Sequence, residues 1–519
     1  MSIQNANYLD ATIEPMLRGA RIHIQRGPMR SCVVCCVIVF FLSPCAVAQV
    51  SETSGSVPED LEIRAAVGLL DARLGHELRE RRVAGMSVAV VYDQEVIWMK
   101  GYGFEDVENK VPATPKTVYR VASITKLFTA TMLMQLRDAG RIQLDDPVTK
   151  YVPELRLTSR YEGLPPITLL QLATHTSGFP REAPMDYWRT LKFPTIEKMT
   201  EALTVDGERI FPPYKEWKYS NVGYGVLGLA LSRAVGVPYF SYVQTNILKP
   251  LEMNNSGFTP PTSLAIGYFL PEPGEQPKPA YQPDYGGYGP ATSLYSTAED
   301  MARFISLQFR DGPPGGQQIL RGSTLREMHS AHWVRPDWKG GQGIGFAIRR
   351  VGPFTAIGHG GGIQGFRTDI SLIPSLKLGV AVFTNTNCDP NKLTDLALSI
   401  LGPVIENAQE RSVPQPPAAP AQWKRYVGVY AMAYGSKVCI RLRRNRLELI
   451  PAEDGIPEVV KLNPEGEHRF RMKGGSVSGE ILRFEVDSDG SVNHLWMGQY
   501  PADREDDVVS TQKEEVKRQ

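Results

Sequence analysis

Ser123-Ile124-Thr125-Lys126 has the residue types and spacing for nucleophilic chemistry. An unaided serine hydroxyl is a weak nucleophile near neutral pH, and a neighbouring base is the usual remedy. Ile124, Leu127, Phe128, Leu133 and Leu136 recur at helical spacing, and Gly140 follows as a stop, so a helix is predicted to begin at the serine. Ser123 would then sit at the positive end of the helix dipole, among N–H groups without helical partners, with Lys126 one turn further on the same face. The spacing does not decide by itself. Ser510-Thr-Gln-Lys513 repeats it in a charged tail with no apolar face.

Three further stretches bear on Ser123. Tyr219-Ser220-Asn221 is the only Tyr-x-Asn in the chain. A phenol beside a lysine ammonium is easier to ionise, so Tyr219 is a candidate base or proton donor, and Asn221 offers an amide to a substrate amide. Gly358-His359-Gly360-Gly361-Gly362 follows a β-prone run. Its glycines would let a substrate lie against strand backbone, where an N–H meets a developing oxyanion. The run also matches the oxyanion loop of α/β-hydrolase lipases, but it lies late in the chain and no Gly-x-Ser-x-Gly occurs. Leu172-Ala-Thr-His175-Thr-Ser-Gly178 reads as a helix end with Gly178 as its stop. No His-Glu-x-x-His and no Gly-x-x-x-x-Gly-Lys is present, so no metal, nucleotide or other cofactor is expected.

These residues need a scaffold. A helical segment, 61–82, precedes two β-prone runs, 87–92 and 96–100, joined across Asp93-Gln94-Glu95 as a hairpin. From about 145 to 251 the pattern is mainly helical. Residues 257–292 form a Pro-, Gly- and Tyr-rich loop region, and 296–309 is a helix capped by Ser296 or Thr297. Strands return at 343–349, 354–358, 368–373 and 379–384. Strands at both ends with helices between imply an α/β (α+β) domain over 60–405, its sheet built from both termini around an inserted all-helical subdomain. A Pro-rich linker, 406–422, leads to short β-prone runs over 423–501, a small antiparallel sheet or barrel, and then a charged tail, 502–519.

Composition narrows the partners. The formal net charge is +1; the first 48 residues contribute +2, from Arg18, Arg21, Arg26 and Arg30 against Asp10 and Glu14, which leaves −1 on the rest. The remainder is close to neutral, which speaks against a nucleic-acid partner. Cys32–Leu42 is an apolar run after Arg30, and Ala46-Val47-Ala48 supplies a cleavage site, so residues 1–48 read as a leader with a signal peptide, Met29 being the expected true start. The expectation is an exported, periplasmic or secreted protein. A membrane is a partner only if the leader stays uncleaved. Cys388 and Cys439, the cysteines beyond the leader, make no disulfide framework.

Taken in order, Ser123-Ile-Thr-Lys126, Tyr219-Ser-Asn221 and His359-Gly-Gly361 resemble the three motifs of the penicillin-recognising serine hydrolases. The chain is similar to the branch with class C β-lactamases, serine DD-peptidases, D-aminopeptidases and β-lactamase-like esterases. Gly85-Met-Ser-Val-Ala-Val-Val and Tyr295-Ser-Thr-Ala-Glu-Asp-Met support the resemblance, and the C-terminal region resembles a lipocalin-like barrel. The family implies that Ser123 forms an acyl-enzyme, that Lys126 and Tyr219 share proton transfer, and that Asn221 and Gly361 help bind substrate. It implies an oxyanion hole from the N–H groups of Ser123 and Gly362. His359 stands where a lysine often meets a substrate carboxylate, a departure that favours a peptidase or esterase over a dedicated β-lactamase. The implied function is hydrolysis of a peptide-like amide or an ester in a small-molecule or peptide substrate. A true class C-type β-lactamase and a penicillin-binding sensor with little turnover are the alternatives.

Overall fold

A computed structural model describes Gly55 and residues 57–505, apart from 312–317, 413–417, 434 and 452–458. The leader, the expected start at Met29 and Ser510–Lys513 lie outside the described residues.

The strand Gly85–Tyr92 shows why the domain is layered. Met86, Val88 and Val90 enter one apolar core and Ala89 and Val91 another, so this strand is buried on both faces. Each face needs a cover. Helices Leu61–Glu80 and Asn391–Ser412 pack together over one. Ala298–Leu307 and Thr125–Asp138 contribute to the other core, where the Phe128 and Phe304 rings stack at 4.4 Å. The expected hairpin forms across Asp93 and Gln94, both at positive φ (44° and 76°), as a tight two-residue turn requires.

The sheet is antiparallel and nine-stranded. In spatial order its strands are Val111–Pro112, Glu95–Asp106, Gly85–Tyr92, Leu378–Thr384, Phe366–Ile373, Phe354–Ile363, Ala347–Val351, Gly340–Gln342 and Trp333–Val334. The N-terminal hairpin pairs directly with the last strand of the domain, as the arrangement of β-prone runs implies. Several strand boundaries differ from expectation. The run expected at 96–100 extends over Glu95–Asp106. The strand expected at 343–349 begins only at Ala347, because residues 343–346 form a turn after Gly340–Gln342 in which Gly343 N–H meets Phe346 O and Gly345 takes φ +83°. The strand from Phe354 continues through the glycines to Ile363, because its partner Phe366–Ile373 holds it in register.

Residues 428–504 close an eight-stranded antiparallel barrel in simple up-and-down order, consistent with the lipocalin-like resemblance. Its interior is filled by side chains, with the Tyr426 and Phe484 rings stacked at 4.2 Å. The β-prone runs, at 426–431, 437–443, 447–450, 468–472, 481–486 and 492–497, have no counterpart to two of its strands, Val460–Gly466 and Tyr500–Arg504. The second crosses the expected boundary at 501–502 into the segment read as a charged tail. Asp503 and Arg504 look like tail residues, yet Ala502 points inward and the strand closes the barrel against Gly428–Met432. The linker is shorter than expected as well, since residues 406–412 complete the helix Asn391–Ser412.

Candidate active site

Ser123 does not occupy the first turn of the α-helix, as expected, but a 3-10 turn, Ala122–Ile124, that leads into Thr125–Asp138. The cause is Ala122, a buried alanine at φ +49°, in the left-handed region that only glycine adopts freely. Such strain persists where the surroundings over-determine it. Here Ala122 O accepts from Thr125 Oγ1 at 2.6 Å, Val121 N–H donates to Leu294 O at 3.0 Å, and Val121 O accepts from Thr368 Oγ1 at 2.9 Å.

The turn brings the expected residues together. Ser123 Oγ lies 3.0 Å from Lys126 Nζ and 3.0 Å from Tyr219 OH. Lys126 is fully buried, and its other two neighbours are Asn221 Oδ1 at 2.9 Å and Ala291 O at 3.0 Å. Burial holds the amine well below its ordinary pKa. Glu182 partly opposes this, and Arg181 adds to it. A neutral amine has two hydrogens and one lone pair. The hydrogens match the two oxygens and the lone pair matches the serine O–H, so Lys126 is placed to take the Ser123 proton.

Tyr219 departs from the sequence expectation. Burial outweighs the nearby positive charge and pushes its phenol up to about 12, with the Ser123 hydrogen bond and Arg181 opposing. It is therefore a phenol, donating to Ser123 Oγ, and not a phenolate. His175 supports it from behind. The imidazole ring lies 4.4 Å from the Tyr219 ring, centroid to centroid, Nδ1 accepts from Ser220 N–H at 3.2 Å, and burial keeps the ring neutral. The structural role expected of His175 holds, but the helix before it ends at Ala173, and His175 itself takes a left-handed φ of 59°.

Ser220 caps the helix Asn221–Val235 through Gly223 N–H and donates to Pro180 O at 2.6 Å. Asn221 N–H donates to Arg181 O, and Asn221 Nδ2 donates to Glu182 Oε1 at 2.8 Å. These bonds fasten residues 180–182 beside the serine. They also engage the Asn221 amide at both ends, leaving one Nδ2 hydrogen for a substrate.

Gly361 has a further job. A side chain there would start 2.1 Å from Val121 O and 2.3 Å from Thr368 Oγ1, so its bareness admits the serine turn, while the residue itself lines the cleft. Gly362 is exposed on the cleft. His359 lines the same cleft, but burial brings its pKa down to about 4, and Nδ1 pairs with Gly360 O at 2.6 Å. A neutral ring offers a substrate carboxylate no charge.

The cleft encloses about 870 Å³, and Arg181, Glu182, Trp188, Trp217 and Arg367 line it with the motif residues. Sequence reasoning missed Arg181, Glu182, Trp217 and Arg367. Nothing in the spacing of Glu182 announces it. Arg367 was within reach: a hairpin turning at Gln364-Gly365 pairs residue 367 with Gly362.

Comparison with known proteins agrees with this geometry. The Beta-lactamase family model matches residues 70–401, and the chain belongs to that family, within the superfamily of β-lactamase and penicillin-binding-protein-like serine hydrolases. It is 28% identical over 490 residues to Beta-lactamase-like protein 2 of Dictyostelium discoideum, covering 87% of this chain and 88% of that one. It is 30% identical to Protein flp of Staphylococcus aureus strain N315, over 62% of this chain and 63% of the relative. Among solved structures it resembles the octameric penicillin-binding protein homologue from Pyrococcus abyssi, with TM-score 0.58, 27% identity, and coverage of 84% of this chain and 99% of that one. The Beta-Lactamase/D-Alanine Carboxypeptidase from Pseudomonas syringae shares the fold at TM-score 0.55 and 20% identity, over 65% of this chain and 99% of that one.

Proposed function

We propose that the protein is an exported serine hydrolase that cleaves an ester or a peptide-like amide through an acyl-enzyme on Ser123. The observation that carries this reading is the Ser123 hydroxyl held 3.0 Å from both a desolvated lysine amine and a phenol. In the proposed cycle Lys126 Nζ takes the Ser123 proton as Oγ bonds to the substrate carbonyl carbon. The N–H groups of Ser123 and Gly362 receive the oxyanion. As the carbonyl–leaving-group bond breaks, Tyr219 gives its proton to the leaving atom, and the proton that Lys126 took from Ser123 restores the phenol. Water then attacks the acyl carbon, its proton passing to the same pair, and Ser123 is released. Export rests on the apolar run and small-residue site in the leader.

The test is incubation of the purified protein with a 4-nitrophenyl ester, a penicillin and a peptide ending in D-alanine, following product and intact mass. Ester or peptide product from the wild type and none from Ser123→Ala is the expected result. Product release unchanged in Ser123→Ala defeats the reading. A persistent adduct without product marks a sensor, and rapid loss of penicillin alone marks a β-lactamase.

A further inference from the structure

Four charged side chains line the cleft: Arg181, Glu182, Arg367 and Asp389. Arg181 and Glu182 approach each other at 3.5 Å. Asp389 is exposed and accepts from Asn391 N–H at 3.2 Å. Arg367 differs. Its hydrogen bonds all run from Nη1, to Ile363 O at 2.5 Å and Phe366 O at 2.9 Å. These two bonds anchor the guanidinium on the hairpin turn and leave Nε and Nη2 without a partner among the described residues. No acidic side chain there forms an ion pair with it, and burial, only weakly opposed by Cys388 and Tyr285, lowers its pKa.

Register fixes where this group lies. Arg367 pairs with Gly362 across the hairpin, and a side chain at Gly362 would start 3.3–3.4 Å from Arg367 Cδ, Cζ and Nε. The guanidinium thus leans over the bare backbone proposed to hold the oxyanion. Nε and Nη2 form the side-on edge of the fork, whose two parallel N–H bonds match the two oxygens of a carboxylate. A half-buried cation without a counter-charge costs free energy that a bound anion recovers.

We infer that Arg367 is a specificity-determining residue: the cleft takes acyl substrates that carry a carboxylate, which seats on the Nε–Nη2 edge of Arg367 beside Gly362. This rests on the hydrolase reading above. It moves the recognition of a substrate anion from His359 to Arg367.

The test compares matched esters. In one arm the carboxylate is on the acyl group, mono-4-nitrophenyl glutarate against 4-nitrophenyl pentanoate. In the other it is on the leaving group, 3-carboxy-4-nitrophenyl acetate against 4-nitrophenyl acetate. The wild type is expected to favour the carboxylate in one arm by tenfold or more in kcat/KM. Arg367→Gln should cut that ratio below about twofold, with Arg367→Lys between them and folding of each variant checked by its thermal melt. Calorimetric binding of N-phenylglutaramic acid against N-phenylpentanamide to Ser123→Ala, with and without Arg367→Gln, gives an acyl-side ratio independent of turnover. It separates failure of this inference from failure of the hydrolase reading. Lack of carboxylate preference in both arms and in binding, or a preference that survives Arg367→Gln, overturns the inference.

Discussion

Lys126 and Asn221 are joined by a 2.9 Å hydrogen bond, Nζ to Oδ1, directly beneath the Ser123 hydroxyl. The bond fixes the asparagine amide, because Oδ1 must face the amine and Nδ2 must face Glu182 Oε1. Lys126, Asn221 and Glu182 therefore form one chain of hydrogen bonds. The carboxylate at its far end opposes the burial that lowers the lysine pKa.

Removing that opposition should shift the pH profile. With the Glu182 charge gone, Lys126 stays neutral to lower pH, so Glu182→Gln should move the acidic limb of kcat/KM towards acid. Glu182→Ala also frees the Asn221 amide to rotate and should cost on the order of tenfold in kcat/KM. Ester hydrolysis from pH 5 to 10 reads both effects. A purely structural Glu182 would change the height of the profile and leave its limb in place.

Gly361→Ala puts a methyl group where Val121 O already lies, 2.1 Å from the new carbon. The serine turn must move or the strand must bend. Overpacking of this kind costs about 1–3 kcal/mol, and a displacement of 1 Å near the reacting atoms costs on the order of 100-fold in rate. A lower melting temperature with at least that loss of esterase activity is expected.

His175→Ala removes both the ring against Tyr219 and the acceptor of Ser220 N–H. A buried N–H left without a partner costs about 1–3 kcal/mol. Stability measured in urea should fall by that order. Because Tyr219 loses its backing, kcat should fall more than KM rises.

Acid should weaken the fold in a defined window. Burial lowers the folded-state pKa of His329 and His359 to about 4, and lowers that of His175 as well. In the unfolded chain these rings titrate near 6.5, so below that pH the unfolded state binds protons that the folded state refuses. Stability is unaffected by them above pH 6.5 and falls as pH drops towards 4. For each of His329 and His359 the loss between pH 7.5 and pH 5 is about 2 kcal/mol. Urea midpoints at the two pH values measure the total, and His329→Gln should flatten the difference.

Much of the site was legible because it is local or strongly patterned. Ser123 and Lys126 share a turn, and the alternation of Met86, Val88 and Val90 with Ala89 and Val91 marks a strand covered on both sides. Three things were not legible, each for a physical reason. The left-handed Ala122 leaves no mark in composition, since strain there is sustained by partners from residues 294 and 368. The protonation states of Tyr219 and His359 follow from burial, which only the packed fold supplies. Residues 502–504 of the strand Tyr500–Arg504 read as a polar tail because one inward residue, Ala502, suffices for a strand that closes a barrel.

Acid-quenched mass mapping tests the central claim most directly. Wild-type protein mixed with a 4-nitrophenyl ester at pH 7.5 and quenched within the first turnovers should carry the acyl mass on the peptide containing Ser123. Lys126→Ala should acylate at least 100-fold more slowly. An acyl group found elsewhere, or acylation of Ser123 at the same rate without Lys126, would contradict the account.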